Sequence, residues 1–378
     1  MKIAVIGVAQ TKFGELWDRS LTDLLAESQL AAIEDAGLGV SDIDTIFTGN
    51  MCAPYFSNQS NLASVASSIL NLSIPSFTVE AACASGGLAI RAATAAIESG
   101  QANIVLVNGV EKMTDVPIEK VSEGLSAAAS AEWEQIHGAT FPALDALIAK
   151  LYMNKYGLTR EQLAMVSVQS HHNGSLNPLA HFQKKITVDH VINSPMIADP
   201  LTLLDCSPVS DGAASVILCN EETAKRLNSN PVFITGSGHA TDTLSLSERD
   251  DLLSWSATCE AVNKAYEMAG VSASDVDLVE LHDAFSIVHI ISLEDLGFFE
   301  RGQAGAAIGE LSVNPSGGLK ARGHPVGATG IAQVVEVVKQ LRGECGERQV
   351  KDAKIGLTHN AGGCGANVVV HVFKRGEP

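Results

Sequence analysis

The sequence predicts an α/β protein of two pseudo-symmetric βα halves, stacked in five layers (αβαβα), with a loop domain inserted in the first half. Three observations carry this prediction. First, a helix–turn–strand unit occurs twice, as AIEDAGLGVSDIDTI from Ala32 to Ile46 and AYEMAGVSASDVDLV from Ala265 to Val279. Identities fall in register at Ala32/Ala265, Glu34/Glu267, Ala36/Ala269, Gly37/Gly270, Ser41/Ser274, Asp42/Asp275 and Asp44/Asp277. Second, two later blocks correspond in the same order: Cys83-Ala-Ser-Gly with His324-Pro-Val-Gly, and the run Ile104 to Val107 with Ile355 to Thr358. Third, short apolar runs alternate with amphipathic helical stretches such as Leu21 to Ala36 and Leu88 to Ile97, which indicates βα layering around buried sheets.

Taken along the chain, the run from Met1 to Gly7 reads as a first buried strand, with no apolar h-region or cleavage site of a signal peptide. Ser76 to Val79 reads as a strand that turns abruptly into an Ala-rich helix. Between about Asp115 and Asn193 the strand pattern gives way to polar and helical sequence, including Phe141 to Tyr156 and Glu161 to His172, which marks the insertion. Strand character returns at Ser215 to Cys219, and Asn228 to Pro231 reads as a linker into a second half that starts at Val232-Phe233-Ile234. The expected division is therefore residues 1–230, containing the loop insertion at about 115–193, followed by residues 231–378. Ligands of α/β enzymes collect where strands end and helices begin, an edge the insertion is placed to cover.

Composition excludes several functions. A chain of 378 residues with 46% apolar content has ample core material, yet no apolar run reaches the roughly 18 residues of a membrane span. With 25 Lys plus Arg against 43 Asp plus Glu, the formal charge of −18 opposes nucleic-acid binding, which needs a basic stripe. A polyanionic ligand would need a locally basic site or backbone donors. The 7 cysteines are odd in number and widely spaced, without a CxxC pair, which fits reduced thiols in the cytoplasm. The adjacent His171 and His172 face different directions on a helix and lack an acidic partner at suitable spacing, so no metal site is expected.

Cys83 sits where the strand meets the helix, among the small residues Ala81, Ala82, Ala84 and Gly86, and a helix N-terminus favours a thiolate there. That setting suits a nucleophile. His324, in the glycine-rich run Gly317 to Gly330 before the helix Ile331 to Leu341, holds the position equivalent to Cys83 in the other half. The pseudo-dyad would bring the two together, so that imidazole takes the thiol proton. His282 and His359 follow other strands and offer donors for a thioester oxygen, assisted by N–H groups of the Asn360 to Gly363 loop.

Four blocks, EAACASGG around Cys83, HDAF at His282, GGLKARGHPVGATG around His324 and HNAGGCG from His359, joined by CSPVSDGAA at Cys206 to Ala214, resemble the thiolase superfamily over essentially the whole chain. The resemblance is nearest to the archaeal acetoacetyl-CoA and sterol-carrier-type thiolases. It implies a thiolase-like fold and an acetyl-CoA C-acetyltransferase working on coenzyme A thioesters, with no tightly bound cofactor. Cys83 would be acylated, His324 would activate it, and His282 with His324 would line one oxyanion hole. The Cys83 amide and an amide near Ala361 would form the other. The second acid/base lies between His359 and Cys364, with His359 favoured because an imidazole exchanges protons with an α-carbon. Family position places Ser207 on the coenzyme A chain and His137 near the acyl pocket. A homodimer or homotetramer is also expected, because the apolar, Gly/Ala-rich elements around Val65 to Leu72 and Ala102 to Val107 read as edges that could pair across a two-fold axis. The resemblance further implies association with 3-hydroxy-3-methylglutaryl-CoA synthase through a small OB-fold protein, in the mevalonate route. Fold alone does not choose the reaction, since ketosynthases and 3-hydroxy-3-methylglutaryl-CoA synthases share it, as a degradative 3-ketoacyl-CoA thiolase or a silent scaffold would.

Overall fold

In the computed structural model, which describes residues 2–227 and 230–376, twelve strands are formed: β1 (Ile3–Gln10), β2 (Thr45–Gly49), β3 (Ser76–Val79), β4 (Ile104–Glu111), β5 (Met196–Ala198), β6 (Leu201–Thr202), β7 (Gly212–Asn220), β8 (Val232–Thr241), β9 (Leu278–Glu280), β10 (Ser312–Val313), β11 (Ile355–Gly362) and β12 (Asn367–Arg375). Met1, and Asn228 and Ser229 of the expected linker, lie outside the described residues. Ten strands form one sheet in the order β10-β9-β11-β12-β8-β1-β7-β4-β2-β3. The order is a palindrome. In the first half β2 runs parallel to β3 and β4, β4 is antiparallel to β7, and β7 to β1. In the second, β9 runs parallel to β10 and β11, β11 is antiparallel to β12, and β12 to β8. A short antiparallel pairing of β1 with β8, from Ile3↔Ile234 to Val5↔Val232, joins the halves.

The two half-sheets face each other across a pair of helices, Ser85–Glu98 and Val326–Arg342, and carry outer helices on their far sides. Leu21–Asp35 covers β1 and β7, while Ser256–Ala269 covers β8 and β12. This is the five-layered arrangement expected. Ile90, Ala93, Ile331 and Val335 fill the middle interior between the sheets. Leu24, Leu25 and Ile33 pack the outer layer of the first half, and Val262, Ala265 and Val370 that of the second.

The repeated residues do the same work twice. Asp44 Oδ2 accepts the N–H groups of Asn103 (2.7 Å) and Ile104 (2.9 Å), and Asp277 Oδ2 accepts those of Lys354 (2.8 Å) and Ile355 (2.9 Å). Each carboxylate thereby starts the equivalent strand at matching places, β4 and β11. Ala32 and Ala265 matter because each lies against a glycine of the strand beneath: a β-carbon at Gly7 would stand 2.3 Å from Ala32 O, and one at Gly236 would stand 2.1 Å from Ala265 O. Helix and strand backbones thus touch directly.

Between β4 and β7 the chain forms the helices Ile118–Ser126, Phe141–Tyr156, Arg160–Gly174 and Val188–Ile192 and the small β5–β6 pair. This segment leaves the first half and packs on the second. Ser170 Oγ donates to Asp283 (3.1 Å), and Asn173 Nδ2 donates to the carbonyls of Val313 (3.2 Å) and Asn314 (2.9 Å).

Three expectations need correction. Ala102 to Val107 is no edge, because β4 lies inside the sheet between β2 and β7 and is buried throughout. Val65 to Leu72, by contrast, falls on and just after the helix Leu62–Ile69, which packs beside the edge strand β3. The helix after His324 begins at Val326 rather than Ile331, since Gly327 and Gly330 are helical positions selected for close packing and not loop glycines. His359 lies within β11 rather than after it.

Gly236→Ala would force the helix Ser256–Ala269 off the sheet. A loss of about 1–3 kcal/mol or more is expected in urea denaturation, the range for overpacked cores.

Candidate active site

β3 ends at Val79 and the Cys83 helix begins at Ser85, so the chain reverses within a few residues. Ala82 makes the reversal with φ +51°, a left-handed conformation that costs a residue bearing a β-carbon about 1–3 kcal/mol. Local bonds offset the strain. Ala81 N–H donates to Ser85 Oγ (2.9 Å), the Ser85 hydroxyl donates to Ala82 O (2.5 Å), and Ala82 N–H donates to Glu80 Oε1 (2.6 Å). The elbow thus presents Cys83 at a helix N-terminus, with N–H groups of Gly363 and of Cys83 itself facing the sulfur. Although Cys83 keeps partial exposure, burial of its sulfur pushes the thiol up to about 12, against the opposing pull of those N–H groups. The resting group is a thiol that needs a base.

His324 supplies one. Gly323 precedes it at φ +110°, where a β-carbon would stand 2.8 Å from Ser210 Oγ, and this lets the chain turn His324 inward. Its N–H donates to Ser210 Oγ (3.3 Å). The Thr329 hydroxyl donates to Pro325 O (3.0 Å), so at 2.7 Å its oxygen accepts the proton on His324 Nδ1, leaving Nε2 bare. Burial, then the neighbouring Arg322, lowers His324 to about 3, so the imidazole is neutral. His282 follows β9, and its ring meets His324 edge-on with centroids 5.1 Å apart and planes at 84°. Burial, and then the nearby His324, His359 and Arg322, hold it well below the usual histidine range. One ligating atom from each of Cys83, His282 and His324 lies within 4.8 Å of the others.

The other expected residues are not in this cluster. Alternation along β11 sends Asn360 toward Cys83 and His359 to the opposite face, where His359 Nε2 lies 3.2 Å from Thr258 Oγ1 on the outer helix. A proton shuttle at His359 is therefore corrected: its imidazole is behind the sheet. Cys364 is buried with its thiol directed at Asp145 Oδ2 (3.7 Å). An amide close to Ala361, that of Gly363, faces the sulfur. Ser207 is bonded through its N–H to Ala284 O (2.8 Å), which places it beside the HDAF block. His137 is exposed on a short turn preceding the helix Phe141–Tyr156, whose Phe141 ring borders Gly363. His171 is a packing residue, stacked on Phe182 and bonded to Lys184 O.

Two residues at the site were not anticipated. Asn360 donates to Cys83 O (3.0 Å) and reaches His282 Nδ1 (3.3 Å). Glu111, at the end of β4, accepts N–H groups from Met51, Cys52 and Gly327 (3.1 Å each), so it ties the start of the Val326–Arg342 helix to the first half. Burial raises it to about 7. Its position at a strand C-terminal end was the available signal.

This chain matches the thiolase N-terminal domain over residues 3–222 and the thiolase C-terminal domain-like family over residues 238–375. It is 52% identical to an acetyl-CoA acetyltransferase of Methanothermobacter thermautotrophicus over 99% of both chains. It is 35% identical to sterol carrier protein 2 of Bos taurus, covering 100% of this chain and 73% of the bovine one. The solved structure of an Ltp2-ChsH2(DUF35) aldolase superposes with a TM-score of 0.85 at 26% identity, covering 99% of this chain and 98% of that one. The fold and the Cys–His site define an acyltransferase. The chain belongs to the thiolase family, whose substrates are coenzyme A thioesters. No helix among the described residues is long and apolar enough to cross a membrane.

Asp145 yields a pH prediction. Burial raises its carboxyl from 3.8 to about 7, against the opposing pull of a hydrogen bond from the Cys364 thiol and of the Arg249 charge. Between those values the unfolded chain ionises while the buried group stays protonated, so unfolding releases a proton and stability falls as pH rises. Asp145→Asn removes that loss. In urea denaturation the variant should gain on the wild type from about pH 3.8 to about pH 7 and stay level above.

Proposed function

We propose that the protein is an acetyl-CoA C-acetyltransferase that joins two acetyl-CoA molecules by a ping-pong Claisen condensation, or runs the reverse thiolysis. The convergence of Cys83, His282 and His324 within 4.8 Å is the observation that carries this reading. In the first half-reaction, His324 Nε2 takes the Cys83 proton as the sulfur attacks the thioester carbonyl. Transfer coupled to attack avoids an isolated thiolate, because thiolate and imidazolium form side by side and stabilise each other. The N–H groups of Gly363 and Cys83, which face the sulfur, would then hold the developing oxyanion. Coenzyme A thiolate then leaves, takes the proton from His324, and acetyl-Cys83 remains.

In the second half-reaction, His324, neutral again, removes an α-proton from the second acetyl-CoA, and His282 donates to the enolate oxygen. The enolate carbon attacks the acetyl-Cys83 carbonyl and forms the new C–C bond. The C–S bond to Cys83 breaks, and the sulfur recovers its proton from His324. In this reading one histidine serves both steps, supported by the His359 ring lying against Thr258 on the other face of β11 and by the Cys364 thiol being directed at Asp145.

The 52% identity to an archaeal acetyl-CoA acetyltransferase supports the short acyl chain. We place the enzyme in the cytoplasm as a homo-oligomer, with the surface of Val65 to Leu72 as a contact, and because condensation of two acetyl-CoA molecules is uphill, rapid removal of its product would pull it forward. It would hand acetoacetyl-CoA to a 3-hydroxy-3-methylglutaryl-CoA synthase through an OB-fold bridging protein, at the head of the mevalonate route. Ser207 would contact the coenzyme A chain and His137 the acyl pocket. Seven free thiols fit a reducing compartment.

Incubation with acetyl-CoA should acetylate Cys83, read by peptide mass spectrometry, and Cys83→Ala should abolish it. Exclusive labelling elsewhere would overturn the assignment. His324→Ala should slow acylation by about 100-fold or more. His359→Ala and Cys364→Ser should leave α-proton exchange within a few-fold of wild type.

A further inference from the structure

Asn360 stands on the inward face of β11 with 2% of its surface exposed. It lies between Gly87 of the Cys83 helix and Gly330 of the helix that follows His324. A β-carbon at those glycines would stand 2.9 Å and 2.2 Å from Asn360 Oδ1. A carboxamide has one end that only accepts and one that only donates, and its bonding partners decide which end is which. Here both deciding partners are main-chain groups, whose polarity cannot reverse. Gly87 N–H donates to Oδ1 at 3.0 Å, and Cys83 O accepts from Nδ2 at 3.0 Å.

With its orientation set, Asn360 Nδ2 also lies 3.3 Å from His282 Nδ1. The amide nitrogen has only protons to offer, so Nδ1 must be the bare ring nitrogen and the imidazole proton resides on Nε2. We infer that Asn360 is a positioning residue that locks His282 in its Nε2–H tautomer, so that a neutral imidazole presents a hydrogen-bond donor to the thioester oxygen of the second acyl-CoA. The inference rests on the role proposed above for His282.

Its consequence is a division of labour between two rings in edge contact. Thr329 holds the His324 proton on Nδ1 and leaves Nε2 as a base, while Asn360 does the reverse for His282. With the opposite tautomer, His282 would turn a lone pair toward an oxygen gaining negative charge. Burial keeps His282 uncharged, so tautomer rather than protonation decides whether it donates.

The test is ring-nitrogen NMR of uniformly folded enzyme labelled with ¹⁵N-histidine, in which long-range ¹H–¹⁵N correlations separate the two tautomers. His282→Asn identifies the His282 signals among the 11 histidines. The wild type should show His282 protonated at Nε2, and a ring protonated at Nδ1 would overturn the inference whatever the variants do. Asn360→Asp substitutes a group that only accepts, and should move the proton to Nδ1. Asn360→Ala removes the donor without adding charge, and should give a mixed population. In Asn360→Asp, kcat for condensation should fall by about 100-fold or more, the usual loss of one oxyanion donor, and in Asn360→Ala it should fall in proportion to the share of rings that leave the Nε2–H form. Cys83 acetylation in Asn360→Ala should stay within a few-fold, with KM for acetyl-CoA changing less than kcat. An unchanged His282 tautomer in both variants would reduce Asn360 to a packing residue and refute the lock. Failure of wild-type Cys83 to acetylate would instead refute the proposed reaction, leaving the tautomer measurement intact.

Discussion

The active site depends on the close approach of the two central helices. A β-carbon at Gly86 would stand 2.9 Å from Gly327 O, and one at Gly330 would stand 2.3 Å from Gly87 N. Backbone therefore meets backbone, and larger residues would push the helices apart by the width of a side chain. Because each helix begins beside a functional residue, Cys83 before one and His324 before the other, this single contact sets the distance between nucleophile and base. The flanking sheets reinforce it: Gly109 of β4 would bring a β-carbon to 2.5 Å from Gly327 O, and Glu111 holds Gly327 N–H from the same strand.

Low dielectric around that contact shapes the chemistry. Burial disfavours every charged form, so it raises the Cys83 thiol and lowers both His282 and His324. A site built in this way rests neutral, and its charges appear in pairs during reaction. Directed hydrogen bonds then carry what net charge does not: N–H groups aimed at the sulfur, Thr329 on one imidazole and Asn360 on the other. The buried ion pair of Arg322 with Glu280 (3.1 Å) anchors the loop that delivers His324. Its removal on one side would leave a lone charge in the core.

The insertion shows how a long connection can serve a duplicated fold. It leaves β4 of the first half and binds the second half through Ser170 to Asp283 and Tyr152 to Glu294 (2.5 Å). The loop that contains His282 is thus held by residues from both halves. In sequence, these contacts lie more than a hundred positions apart, and no local pattern announces them.

Local chemistry made much of this molecule legible from sequence. Turn residues and capping chemistry marked the repeated helix–turn–strand units, small residues marked the elbow at Cys83, and the matched order of blocks pointed to a pseudo-dyad that pairs Cys83 with His324. The sequence by itself thus determined the layered α/β architecture and three candidate residues of the cleft. Tertiary structure decided the rest. His359 and Asn360 are neighbours in sequence, and only the pairing of β11 with β12 and the packing on its two faces determine which one looks into the cleft. The same holds for β4, whose apolar run reads equally well as edge or centre until β2 and β7 flank it. A strand's side-chain period is legible in its sequence, but the identity of what lies on each face is a property of the whole fold.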